Sequence, residues 1–149
     1  MACQTFNSSI VKWPGSKRLI LSKILRKLPK SGDVLVDAFT GSGCIALNTD
    51  YKHYYLNDLN TDLISMYELC RNDPADFIKL TQPYFKGSFN NKDSYLSLRD
   101  QFNISDDQEE RGILLFVLSR FCFNGLVRYN KSNLFNTPFG SYPNHPYFP

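Results

Sequence analysis

The stretch DVLVDAFTGSG (33–43) decides the fold. Its first part, DVLVDAF (33–39), is a short apolar run that suits a buried parallel strand, and it breaks into the Gly-rich TGSG. Upstream, SKRLILSKILRKLP (16–29) carries Leu19, Ile20, Ile24, Leu25 and Leu28 at helical spacing and is stopped by Pro29. Downstream, CIALNTD opens a second helix or turn, and HYYLNDL (53–59) reads as a second strand. Helix, strand, Gly turn, helix, strand, acid is the opening of a doubly wound α/β sheet.

The same stretch carries the strongest chemical signal. A Gly-rich turn at the carboxyl end of the first strand lets a ligand approach the backbone. Asp58 stands 21 residues beyond Asp37, at the end of the second strand, where an acid can accept hydrogen bonds from ribose hydroxyls. The spacing G-x-G, with no third Gly two residues on, departs from the dinucleotide fingerprint. Asp37 at the head of the motif suits a ligand with a positive charge better than a pyrophosphate. S-adenosylmethionine has both a ribose and a cationic amino acid tail. The competing reading is a strand-to-helix turn in which Gly only relieves sterics. KWPGSK (12–17) is similarly double: a Trp beside a tight Pro-Gly turn and two lysines, or a surface turn whose Trp packs on the core.

Beyond the second strand the pattern changes. Asn60 is an N-cap for a helix through TDLISMYELCRN, ending at Asp73-Pro74. ADFIKLTQPYF, KDSYLSLRDQF and DDQEERGILLFVLSRFCF also read as helices, and no further apolar strand of the parallel type follows. The division is therefore placed at 62/63: an α/β part over 1–62, and a mainly helical part over 63–149 with a β-hairpin at about 123–139. In FCFNGLVRYNKSNLFNTPFG (121–140), Asn124-Gly125 is a hairpin-turn signal and Pro138-Phe139-Gly140 a second turn. Arg128 on such a ribbon can bond guanine bidentately, and Leu126 can touch a thymine methyl. A hairpin whose aromatics merely pack on the preceding helix fits the same residues.

Composition narrows the classes. Hydrophobic residues at 42% and charged residues at 21% describe a globular protein. No apolar run reaches a membrane span, MACQTFNSSIVKW has no secretory h-region, and a cytoplasmic setting is expected. Cys3, Cys44, Cys70 and Cys122 are widely spaced, which favours reduced thiols and argues against a zinc site. Residues 1–32 contain seven bases and no acid, residues 33–110 hold all 14 acids against six bases, and residues 111–149 have four bases and no acid. If the basic ends meet, they form a surface for a polyanion.

Three motifs in one order resemble the Dam-type DNA adenine-N6 methyltransferases. KWPGSK (12–17) matches K-W-[AP]-G-x-K; DAFTGSG (37–43), followed by LNTD, matches acid-x-F-x-G-x-G; and YYLNDLNTDLISMY (54–67) is similar to the second-strand motif. The stretch from Arg120 to Pro149 is similar to the target-recognition hairpin and its exit. The likeness covers nearly the whole chain and is weakest over 74–110. It implies a Rossmann-like S-adenosylmethionine (SAM)-dependent domain with a helical target-recognition domain, acting on adenine in double-stranded DNA at GATC sites. Trp13, Lys17, Asp37, Phe39, Gly41, Gly43 and Asp58 would hold SAM. Arg128 would read guanine, Leu126 and Pro138 would contact thymine, and Phe123 and Asn124 would wedge beside the flipped base. Tyr142 would help hold the DNA, and Lys12 would reach the outer guanine. Ser16 and Ala38 replace commoner Gly and Pro. Phe123 replaces a frequent Tyr, keeping the stacking face.

The family's catalytic tetrad, [D/N]-P-P-[Y/F], does not occur in these 149 residues. Asp73-Pro74 is followed by Ala75-Asp76, and neither His53 nor His145 has a partner pattern. No catalytic residue and no metal ligand is therefore expected here. The expectation is an inactive N-terminal part of the enzyme, whose partner would be a missing C-terminal half. The alternatives are a non-catalytic DNA-binding decoy, one piece of a split methyltransferase, and, more distantly, a different nucleoside-cofactor enzyme.

Overall fold

The computed structural model describes residues 5–143. Cys3, His145 and the rest of the Pro-rich end lie outside the described residues. Two compact units are present, Met1–Leu59 and Asn60–Pro149. Asn60, the first residue of the second unit, is the N-cap of its first helix.

The first unit is a small α/β arrangement. A 3₁₀ turn (Lys17–Ile20) leads into α1 (Leu21–Leu25), then β1 (Ser31–Asp37), a 3₁₀ turn (Ala46–Asn48) and β2 (Asp50–Leu56). The strands pair in parallel, with Val34 beside His53 and Asp37 beside Leu56. Leu21, Leu35, Cys44 and Ile45 form the core, with Ile24, Leu25, Leu28 and Tyr54 packed on it.

Three expectations are corrected here. The 16–29 segment is not one regular helix. Ile20, at φ −110°, interrupts it, and Leu19 is 97% exposed while the unforeseen Leu21 is fully buried. β1 is not buried on both faces: Leu35 is 6% exposed, but Val34 and Val36 are 48% and 69% exposed. Only the face that meets α1 and Cys44–Ile45 is covered, so the apolar run alternates in burial. β2 begins three residues before the expected 53, because LNTD turns at once into the strand.

The second unit is helical. α2 (Thr61–Asn72), α3 (Pro74–Thr81), α4 (Lys92–Ile104) and α5 (Gln108–Phe121) each start on a side-chain cap, from Asn60, Asp73, Asn91 and Asp107 respectively. α5 is the central helix. Leu114, Leu115, Phe116, Val117, Leu118 and Phe121 are all buried, as expected for a helix enclosed on most sides. Gly112 lets it approach α2: a Cβ there would lie 2.8 Å from Ser65 Oγ and 2.9 Å from the Met66 backbone nitrogen.

After α5 the chain makes an irregular antiparallel ribbon, not a regular hairpin. It contains two isolated bridges, Cys122 with Phe139 and Tyr129 with Phe135. The reversal is not at Asn124-Gly125, as expected. Those residues have positive φ (56° and 66°) and close a tight turn, but that turn bends one arm only. The tip is at 130–134, where the Asn130 side chain accepts from the backbone of Ser132 and Leu134. Pro138-Phe139-Gly140 is likewise an arm and not a turn, with Phe123 N–H donating to Pro138 O and Gly140 N–H to Phe121 O, both at 2.8 Å.

Candidate functional site

In the first unit a cleft of about 210 Å³ forms where two turns face each other at the carboxyl ends of the strands. One is Trp13–Ser16, closed by a 3.1 Å bond from Ser16 N–H to Trp13 O, with Gly15 at φ 72°. That is the type II geometry for which Pro-Gly is suited. The other is the Gly turn, with Gly41 at φ 49° and Gly43 at φ 70°. Ser16 Oγ and Ser42 Oγ join the turns at 2.8 Å.

The strand ends are stitched together by Asn57 N–H to Asp37 O (2.9 Å) and Thr40 N–H to Asn57 O (2.8 Å). This brings Asp58 to the Gly turn, where its Oδ2 accepts from Gly41 N–H at 2.9 Å. Asp37 is 8% exposed. Its Oδ1 lies 3.4 Å from Lys17 Nζ and accepts from Phe39 N–H, and Lys17 also donates to the Phe39 carbonyl. Asp37 Oδ2 is buried and finds no hydrogen-bond partner among the described residues. A buried carboxylate oxygen left that way is costly unless a donor meets it.

Of the expected cofactor residues, Trp13, Lys17, Phe39, Gly41 and Asp58 line this cleft. Asp37 lies against Lys17, and Gly43 is buried in the turn behind. Phe39 presents its ring at 78% exposure. Sequence reasoning missed Pro14, Gly15, Ser16, Thr40 and Ser42 as lining residues. Their places inside the two motifs were the available signal. A Cβ on Gly41 would lie 3.2 Å from Trp13 Cδ1, so the backbone there is within reach of the indole.

The second unit presents Phe123, Asn124, Leu126, Arg128 and Pro138 as exposed residues of the ribbon. Leu126 and Arg128 alternate with the buried Val127, which places both on the outer side. Arg128 is held by Asn136, with Nε to Oδ1 at 2.8 Å and Nη2 to the carbonyl at 3.1 Å. Those bonds do not use Nη1. Tyr142, half-buried, spends its hydroxyl on Cys122 O at 3.0 Å. Lys12 is exposed in the first unit.

A network that sequence reasoning missed lies beneath the ribbon. Asp62 accepts from Arg111 Nε (2.7 Å) and Nη2 (2.9 Å), from Gln108 (3.1 Å) and from the Tyr129 hydroxyl (2.9 Å). Burial works to raise the Asp62 pKa, but the hydrogen bonds from Arg111 and Tyr129 and the Arg111 charge outweigh it and hold the carboxyl below its ordinary value. Burial, then the Asp62 charge, pushes the Tyr129 hydroxyl up, so it stays a donor. No local pattern betrays partners 49 and 67 residues apart in the chain.

The family model described as D12 class N6 adenine-specific DNA methyltransferase matches residues 13–149. The DNA adenine methylase of Serratia marcescens is 43% identical over 143 residues, which is 96% of this chain and 52% of that protein. That of Vibrio cholerae is 44% identical over 141 residues, 95% of this chain and 50% of the relative. The Escherichia coli K12 protein is 41% identical over 143 residues, 96% of this chain and 51% of the relative. The chain spans about half the length of the curated relatives it matches. With the two facing turns and the strand-end acids already in place, these matches assign the chain to the D12 class of N6 adenine-specific DNA methyltransferases.

Proposed function

We propose that this chain supplies the cofactor-binding turns and the DNA-reading ribbon of a SAM-dependent adenine-N6 methyltransferase acting at GATC sites, on a Rossmann-like domain. The observation that carries the reading is the buried, unpartnered Oδ2 of Asp37 at the head of the Gly turn. A cationic amino acid tail offers the donor that this oxygen lacks, Lys17 being placed on Oδ1 alone. Asp58, at the end of β2, would accept from the ribose. Trp13 and the exposed Phe39 ring would cover the apolar parts of the ligand, and Gly41 would let it meet the backbone.

Bound SAM supplies the methyl group. The residues here bind and orient it. On the ribbon, Arg128 would address guanine through the edge that Asn136 leaves open, with Leu126 and Pro138 beside it, Phe123 and Asn124 at the stack, and Tyr142 and Lys12 as supporting contacts. The acid-P-P-aromatic tetrad that positions the adenine amino group is not among these 149 residues, so the reading gives this polypeptide binding and no transfer step.

Calorimetry with SAM and with GATC duplex tests both halves. Binding of both supports the reading; DNA binding without SAM binding favours a decoy, and binding of NAD in place of SAM would overturn it. Gly41→Val forces a β-branched residue into the left-handed region, a strain on the order of 1–2 kcal/mol, and crowds Trp13. SAM affinity should fall about tenfold with DNA affinity retained. Arg128→Ala should lower the preference for GATC over a duplex altered at one guanine by about 1–3 kcal/mol. A variant that ranks the two duplexes as the parent does would remove Arg128 from the reading set.

A further inference from the structure

Tyr129 is the neighbour of Arg128, but its side chain goes the other way, into the helical unit. Its hydroxyl donates to Asp62 Oδ2 at 2.9 Å, and its ring meets Phe102 and Phe135 at centroid distances of 6.3 and 6.0 Å. Asp62 cannot drift to follow it. Both carboxylate oxygens are held by Arg111, and Arg111 is itself fixed by donating to Phe102 O (2.7 Å) and Ser105 O (3.2 Å), with its guanidinium 4.3 Å from the centre of the Phe102 ring.

Across the ribbon, Asn103 of α4 bonds both backbone groups of Phe135, at 2.8 and 3.1 Å. The Tyr95 hydroxyl donates to Thr137 O at 2.6 Å. Phe135 and Thr137 flank Asn136, the residue that clasps Arg128. The exposed guanidinium therefore stands between inward anchors on both arms, Tyr129 on its own and Phe135 and Thr137 on the opposite one. The arms share no continuous ladder: isolated bridges and a few backbone bonds join them, among them Asn136 N–H to Arg128 O at 3.0 Å.

We propose that Asp62, locked by Arg111, is a positioning residue for DNA readout. By taking the Tyr129 hydroxyl it sets the height and orientation of the ribbon position that carries Arg128. This rests on the DNA-reading assignment of Arg128 above. A charge buried at the start of α2 for stability alone would be satisfied by Arg111, Gln108 and the positive end of the helix dipole. The added bond to the residue beside the reader couples the network to the outer face.

Asp62→Ala is a poor probe, since it strips Arg111 of its partner and threatens folding. Tyr129→Phe keeps the ring and removes only the hydroxyl, with its bonds to Asp62 and to the Asn60 side chain. Wild type and Tyr129→Phe should be compared, as the full chain, in fluorescence anisotropy with a GATC duplex and a scrambled duplex, and by the Arg128 Nε–Hε NMR signal. The expected result is a roughly tenfold loss in the ratio of GATC to scrambled affinity, with scrambled-duplex affinity retained. The Arg128 signal should broaden, and melting should remain cooperative. A retained ratio overturns the proposal, and so does an equal loss on both duplexes with a lowered melting temperature, which would mark a structural role only. A wild type without preference for GATC overturns the DNA reading, and this inference with it.

Discussion

Arg111→Ala is expected to cost the helical unit about 3–5 kcal/mol, the penalty for leaving one member of a buried ion pair alone. Asp62 is 4% exposed, and its side chain would keep only the bonds from Gln108 and Tyr129. The Phe102 and Ser105 carbonyls would lose their donor in the same step. Acid should narrow the difference. The folded Asp62 carboxyl titrates below its ordinary value of 3.8, so its contribution is complete above the unfolded carboxylate range and is lost as pH falls through the folded value. Urea titrations at neutral pH and below about pH 4 would measure both effects. A gap that stays constant into acid would mean that the pair contributes through packing and not through charge.

Gly112→Val should be the next most damaging change, at about 3 kcal/mol, the upper end for overpacking. The obstruction is backbone as well as side chain: a Cβ would lie 2.9 Å from Met66 N and 3.1 Å from Ser65 C. Neither can rotate away, so α5 would have to move off α2. The urea midpoint should fall with the slope unchanged, and Ser119→Ala, on the same helix, makes a size-reducing control. A Gly112→Val protein that unfolds at the parental midpoint would show that the helices separate freely.

Local signals made much of this legible. Asn60 before TDLISMY announced a cap, and the Asn60 side chain accepts from Leu63 N–H at 2.8 Å. DAFTGSG and KWPGSK announced turns, and both motifs line one cleft. What failed needed knowledge of neighbours. Val34 and Val36 read as buried because they are apolar, but their exposure depends on what lies against that face. Asn124-Gly125 has the torsions of a hairpin turn, yet Phe123 pairs with Pro138, so the reversal waits until Asn130 can fold its amide over the tip. The Asp62–Arg111–Tyr129 network has no signature in sequence at all, because its members meet only after the helices pack.

The four side-chain caps have a consequence for the order in which the molecule is built. Asn60, Asp73, Asn91 and Asp107 each act on an amide two or three residues ahead. Each of α2 to α5 can therefore begin to wind from information already at its own start, which favours rapid folding. β1 has no such autonomy: its parallel partner β2 begins 13 residues after β1 ends, and the crossover must close before any ladder bond is gained. On a ribosome, the first unit would emerge before the second and yet wait, with Leu35 still uncovered, while the later helices set quickly. For this chain the period of greatest vulnerability to aggregation is thus written into its first unit.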